Sequence, residues 1–180
     1  RKQYKRECAE RIRKYTNYIE KKKLEVATER QEELDSLNEM YCNVQQDIDT
    51  AMHFDRRLFE KTREDEDFLH IYLGQGTIAS SRPIDYKKQE RLEVGDELTE
   101  MPEKIYQLFE HIDGAPICSD MKDSNAIGIV GTKEALYGMF KNIVIDIAVR
   151  HYYGDVRLYM LVDDEKRYQW ARFLPHLMNA

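Results

Sequence analysis

Lys133 is the side chain with the most chemistry within reach. It follows an apolar run and a glycine-punctuated turn in AIGIVGTKEALYGMF, Ala126 to Phe140, and an amphipathic helix is predicted to open beside it. A phosphate-cradling loop has this order, GxxxxGK[ST]: its glycines turn backbone N–H groups toward phosphate, its lysine reaches the β- and γ-phosphates, and its hydroxyl holds Mg²⁺. Superposing Lys133 on that lysine puts Thr132 in place of the preceding glycine, Glu134 in place of the hydroxyl and Ile127 at the leading glycine, with Gly128 and Gly131 close by. A β-branched threonine resists the positive φ asked of that glycine. A carboxylate at Glu134, about 5 Å from a phosphate charge, costs roughly 3 kcal/mol at an effective dielectric near 20, or about two orders of magnitude in binding. The motif is therefore expected to be a vestigial Walker A. The alternative is that Glu134 ligates Mg²⁺ itself, as carboxylates do.

Asp163 and Asp164 end VRLYMLVDD, where a Walker B acid would follow its strand; a strand-end turn with exposed acids is the plainer reading. GQGTIA, Gly74 to Ala79, satisfies a dinucleotide pattern by letter, but Ser80, Ser81 and Pro83 argue against the helix that pattern needs. His53, His70, His111, His151 and His176 lack metal-ligand spacing, and no serine sits in a GxSxG elbow. Neither a metal site nor a hydrolase site is expected. Cys8, Cys42 and Cys118 form no CxxC, which points to a reducing compartment.

The elements that must position these residues follow from punctuation and period. The 180 residues, 42% hydrophobic, suffice for one core and an extended arm. Arg1 to Glu66 contains neither glycine nor proline, which predicts helix. Apolar residues at Tyr4, Cys8, Ile12, Tyr15 and Ile19, and again at Leu34, Leu37, Tyr41, Val44, Ile48 and Ala51, make a narrow stripe that changes phase across KKKLEVATERQEE. A long helix with a stutter and a hairpin both fit; the preferred form is a long first helix, a bend near Tyr41 to Asn43 and a second helix reaching Phe59. Downstream, DFLHIYLG predicts a strand ended by Gly74, Gly95 to His111 a helix with Pro102 in its first turns, Ala115–Cys118 and Ala126–Val130 two short strands, Lys133 to His151 a helix, and Val156–Val162 a last strand. Strand, glycine turn, helix, strand implies a parallel βαβ unit with a right-handed crossover.

Charge divides the chain. Arg1 to Arg30 carries 11 Lys+Arg against 5 Asp+Glu and the remainder 17 against 29, so a net of +6 is followed by −12. A solvated helix face, a juxtamembrane segment near anionic lipid and a nucleic-acid arm are the three readings of the basic stretch. Interrupting glutamates at Glu7, Glu10, Glu20 and Glu25, and the lack of a DNA-binding signature, count against nucleic acid. No signal peptide or membrane-length apolar run is seen, and an opening without methionine suggests a segment of something longer.

As an ordered set, RRLFEKTREDEDFLHIYLGQG, APICSDMKDSNAIGIVG and DVRLYMLVDDEKRYQWARFLPH, with Trp170 ahead of Leu174–His176, resemble the region before the first full motor domain in the membrane-anchored FtsK/SpoIIIE-type ATPases of type VII secretion, the EssC, YukB and EccC group. The resemblance covers roughly residues 54–178; the arm matches only as a helical stalk. It implies an α/β fold: a Rossmann-like degenerate P-loop ATPase core over residues 67–180, with a long N-terminal helical, coiled-coil-like arm over residues 1–66. It further implies no catalytic residue, metal or bound cofactor (ATP and Mg²⁺ only under the active alternative), and a coupling role at the cytoplasmic face of the membrane. The implied partners are the protein's own transmembrane segment, downstream ATPase domains, other secretion subunits, further copies in a homo-oligomer, and anionic lipid near Arg1 to Lys14, with no nucleic acid. Candidate contact residues are Leu37, Tyr41, Val44 and Ile48, the turn at Gly128, Gly131, Thr132, Lys133 and Glu134, and Trp170 and His176.

Overall fold

The computed structural model describes residues 2–87, 97–124 and 126–178, so Arg1, Gly95 and Asn125 lie outside the described residues. Among the described residues, four α-helices and two strands follow in chain order: α1 (Lys2–Met40), α2 (Val44–His53), β1 (His70–Ala79), α3 (Glu97–Phe109), β2 (His111–Asp120) and α4 (Lys133–Arg150), then two short 3₁₀ turns. No helix among the described residues is long and apolar enough to cross a membrane. Two compact units divide the chain, one of residues 1–39 and 76–115, the other of residues 40–75 and 116–180.

In the first unit, α1 runs without a break because nothing in it interrupts the backbone ladder. Its early apolar residues lie open, Tyr4 and Ile12 among them, and burial begins at Ile19. Ile19 shares a groove with Met101, Ile105 and Leu108 of α3. Farther along α1 the buried positions are charged: Arg30 and Glu33.

In the second unit, residues 41–43 leave helix and Asn43 starts α2 with a capping box: its side chain accepts from the N–H groups of Gln45 and Gln46, and the Gln46 side chain accepts from Asn43 N–H. The break falls at the bend expected near Tyr41 to Asn43, while the stretch where the stripe changes phase stays helical. α2 stops at His53 rather than Phe59, because Phe54 turns left-handed at φ 50° and its N–H closes onto Thr50 O. α2 packs on α4. The chain then returns along the end of α4, Phe59 N–H donating to Val149 O and Lys61 N–H to Arg150 O.

The sheet departs from expectation. β1 continues through Gly74, whose φ of 151° suits glycine, so GQGTIA is the second half of a strand and not a loop opening a helix. β2 begins at His111, four residues before the predicted strand. Thr77 meets Asp113 and His70 meets Asp120, a register that runs antiparallel. Ala126–Val130 and Val156–Val162 carry the composition of strands but form no ladder among the described residues, and the predicted parallel βαβ unit is absent from them. Strand propensity expresses itself only against a partner, and neither segment has one here.

Candidate functional site

The turn before α4 is a helix cap. Thr132, at φ −69° and ψ 156°, accepts from Ala135 N–H at 3.4 Å, and Leu136 N–H donates to Thr132 O at 2.9 Å. Neither Gly128 nor Gly131 takes a positive φ, and a Cβ at Gly131 would meet nothing nearer than 3.8 Å. Neither glycine is thus required by strain or close approach, the two reasons a phosphate loop has for using them. Lys133 Nζ lies 4.0 Å from Asp163 Oδ2, each side chain about three-quarters exposed. Glu134 is also exposed, in the first turn of α4, and Asp164 Oδ1 accepts from Lys166 N–H in a turn. The lysine and the acid of the two motifs are therefore neighbours, in water, beside a capped helix.

The stripe residues of the arm are half-buried. Tyr41 stacks on His70 at 6.3 Å, its hydroxyl 3.4 Å from His70 Nδ1, while Val44 and Ile48 flank a face of α2 whose buried members are Asp47 and Thr50. Leu37, in the first unit, is likewise half-buried. Trp170 is partly covered, its Nε1 buried without a hydrogen-bond partner and Lys141 Nζ 6.0 Å from its ring. His176 is 1% exposed, between Phe59 and Tyr153, with Nε2 2.8 Å from His151 O. Its role in this fold is internal, so it offers no outward surface.

Under the joint between α1 and α2 lies a cluster that sequence spacing did not reveal. Arg150, the last residue of α4, donates from Nη2 to Met40 O at 3.2 Å, pairs with Glu60 and stands 4.0 Å from Asp47. Asp146, one turn earlier on α4, accepts from Tyr72 N–H at 3.1 Å, and His151 Nε2 accepts from Leu69 N–H at 3.0 Å. Lys61 pairs with Asp67 close by. Of these, Lys61, Asp67, Tyr72, Asp146, Arg150 and His151 line a cavity of about 10 Å³, room for one water at most. Burial, with repulsion from Asp146, pushes Asp47 up to about 7; burial takes Asp146 to about 6 and His151 down to about 4. Neither Asp47 oxygen has a hydrogen-bond partner. No group of three or more His, Cys, Asp or Glu placed to hold a metal ion occurs among the described residues.

The first unit contains a second cluster. Arg30 donates to Phe109 O at 2.8 Å and to Arg82 O at 2.7 Å, and Glu33 accepts from the hydroxyls of Ser80 and Ser81 and from Ser81 N–H at 2.6–2.7 Å. Both charges sit inside KKKLEVATERQEE, where the apolar stripe is thin. Their partners are some fifty to eighty positions away, which no helical period announces.

These features define a class: a long N-terminal helix, a capped second helix packed on α4, and an antiparallel strand pair. The particular family comes from alignment. The chain is 27% identical over 179 residues, 98% of its length, to the type VII secretion system protein EssC of Staphylococcus aureus strain MSSA476, and matches the EssC of strain NCTC 8325 equally. It is 29% identical over 170 residues to the ESX secretion system protein EccC of Geobacillus thermodenitrificans. The chain's homologues are therefore EssC and EccC proteins of type VII secretion, as the ordered motifs imply. It spans 11–12% of the length of these relatives. No protein-family model matches it.

Proposed function

We propose that this chain is a coupling and assembly segment of a type VII secretion protein, joining membrane-proximal helix to downstream motor domains without turning over nucleotide itself. The carrying observation is Arg150: one side chain at the end of α4 donates to Met40 O, faces the buried acid of α2 and pairs with Glu60, so separate segments of the second unit meet on one cation. The helix cap at Thr132 supports the silent half of the reading, since its hydroxyl is spent on Ala135 N–H and the glycines keep ordinary backbone angles. On this reading the body is an incomplete Rossmann-like core. On the same reading the basic stretch from Arg1 to Lys14 attracts anionic lipid, at about 1 kcal/mol for each charge near the surface.

One observation favours a second reading, an active though divergent ATPase. Lys133 and Asp163 stand close enough to share a phosphate and its metal. Titration calorimetry with Mg-ATP separates the two. Coupling predicts no heat at millimolar nucleotide and an Arg150→Met protein that assembles but secretes poorly. Micromolar binding lost in Lys133→Ala would establish the ATPase instead.

A further inference from the structure

α2 is docked through a carboxyl. Its inward positions recur at Val44, Asp47, Ile48 and Ala51, the spacing of one helix face, and Asp47 is 1% exposed while the three apolar residues are only half-buried. A helix of 10 residues is marginal by itself, so its seat on α4 decides whether it persists. The one group on this face that can carry charge therefore stands where the seating is most complete.

The charges around Asp47 do not balance. Asp146 and Arg150 face it from α4, Arg57 and Glu60 from the segment after α2, and the Tyr72 hydroxyl from β1. Lys61 and Asp67, close by, pair with each other. Three carboxyls thus share two guanidiniums, and both guanidiniums lean toward Glu60: Arg57 Nε lies 3.3 Å from it, and Arg150 Nη2 pairs with it while donating to Met40 O, leaving Nη1 4.0 Å from Asp47. Asp146 holds one donor, Tyr72 N–H at 3.1 Å, whereas Asp47 holds none among the described residues. The adjoining cavity of about 10 Å³ gives no room to hydrate a second ionised carboxylate. A single proton cancels the excess charge, removes the repulsion between Asp47 and Asp146 and supplies the O–H that the pair lacks.

We propose that Asp47 is a proton-operated latch: protonated, it seats α2 on α4, and loss of the proton lets α2 lift while α4 stays in place. The proton belongs on Asp47 because the Tyr72 N–H favours the charged form of Asp146. The latch works in one direction. Burial and Asp146 push Asp47 up to about 7, so the seated carboxyl holds its proton more tightly than the lifted one; seating is strongest near pH 4 and weakens until the pH passes about 7. This device lies wholly in the second unit and is independent of the coupling role, since neither a silent nor an active nucleotide site alters these charges.

Hydrogen exchange on the 180-residue chain tests it, with rates corrected for the chemical effect of pH. At pH 7 the amides from Ile48 to His53 should exchange at least about tenfold faster than those from Val144 to Val149, because α2 lifts without unfolding α4. Protection of the same α2 amides should fall about 50-fold from pH 5 to pH 7, and Asp47→Asn, a permanent donor without charge, should flatten that fall. A common rate for α2 and α4 overturns the proposal, as does equal α2 protection at the two pH values or a fall that Asp47→Asn leaves in place. If the variant does not fold, the Asp47 carboxyl ¹³C resonance of the unaltered chain decides: a midpoint near 7 upholds the latch, and one below about 5 overturns it.

Discussion

Two buried ion clusters, one in each unit, solve the same problem to different degrees. Burial pushes the Glu33 carboxyl upward, but the Ser80 and Ser81 hydroxyls, Ser81 N–H and Arg30 more than offset it, and Glu33 is held below the usual carboxylate range. Asp47 has a facing arginine too, yet neither oxygen finds a donor, and burial leaves it at about 7. Desolvation is common to both, so the difference lies in the number of donors that reach the carboxylate. A fully bonded pair fixes a loop; a half-bonded one keeps a group that titrates near neutrality.

The largest break in this comparison should come from Arg150→Ala, which leaves Asp47 and Glu60 facing a void where a cation stood. Loss of one partner of a buried pair costs roughly 3–5 kcal/mol, visible as a lower urea midpoint. Next is Glu33→Ala, which removes the counter-ion of Arg30 and the acceptor of two serines in the first unit, at about 2–3 kcal/mol. If the clusters serve separate units, the Arg150→Ala and Glu33→Ala costs should add.

Asp47→Asn sharpens the contrast by sign. A carboxyl whose folded pKa is raised binds its proton more tightly when folded, so its contribution to stability falls as pH rises from about 4 to about 7. The amide should remove that decline and raise stability at pH 8 by on the order of 1–2 kcal/mol, with little change at pH 4. Denaturant titrations at the two pH values check it, and a fall at pH 8 would show that the Arg150 attraction outweighs burial. Smallest is Thr132→Ala, a lost cap worth about 1 kcal/mol in melting experiments, with nucleotide response unchanged.

Legibility in the sequence followed the range of the interactions. The unbroken α1, the joint at 41–43 and the opening of α4 at Lys133 are set by neighbours within a turn or two, and periodicity placed them. Even there a local signal passed unread: Asn43 with Gln46 three residues later is a capping box in plain letters. The strands fared worse. Gly74 looked like a terminator because glycine usually is, and only the partner β2 explains why β1 runs on. Ala126–Val130 and Val156–Val162 have strand composition, but composition does not supply a neighbour. Arg30, Glu33, Asp47 and Arg150 were illegible for a further reason: a charge on a helix looks solvated until the tertiary fold brings a carbonyl or serine to it.

The capped joint also sets a rule for anyone wishing to lengthen the arm. Fusing α1 and α2 into a single rod would forfeit the three capping bonds among Asn43, Gln45 and Gln46, and would draw Met40 O away from its arginine. Extra helical turns spliced ahead of Ile19, where the rod is bare, would leave that elbow as it is. The helix can thus be lengthened at one end while the capping box at the other stays as it is.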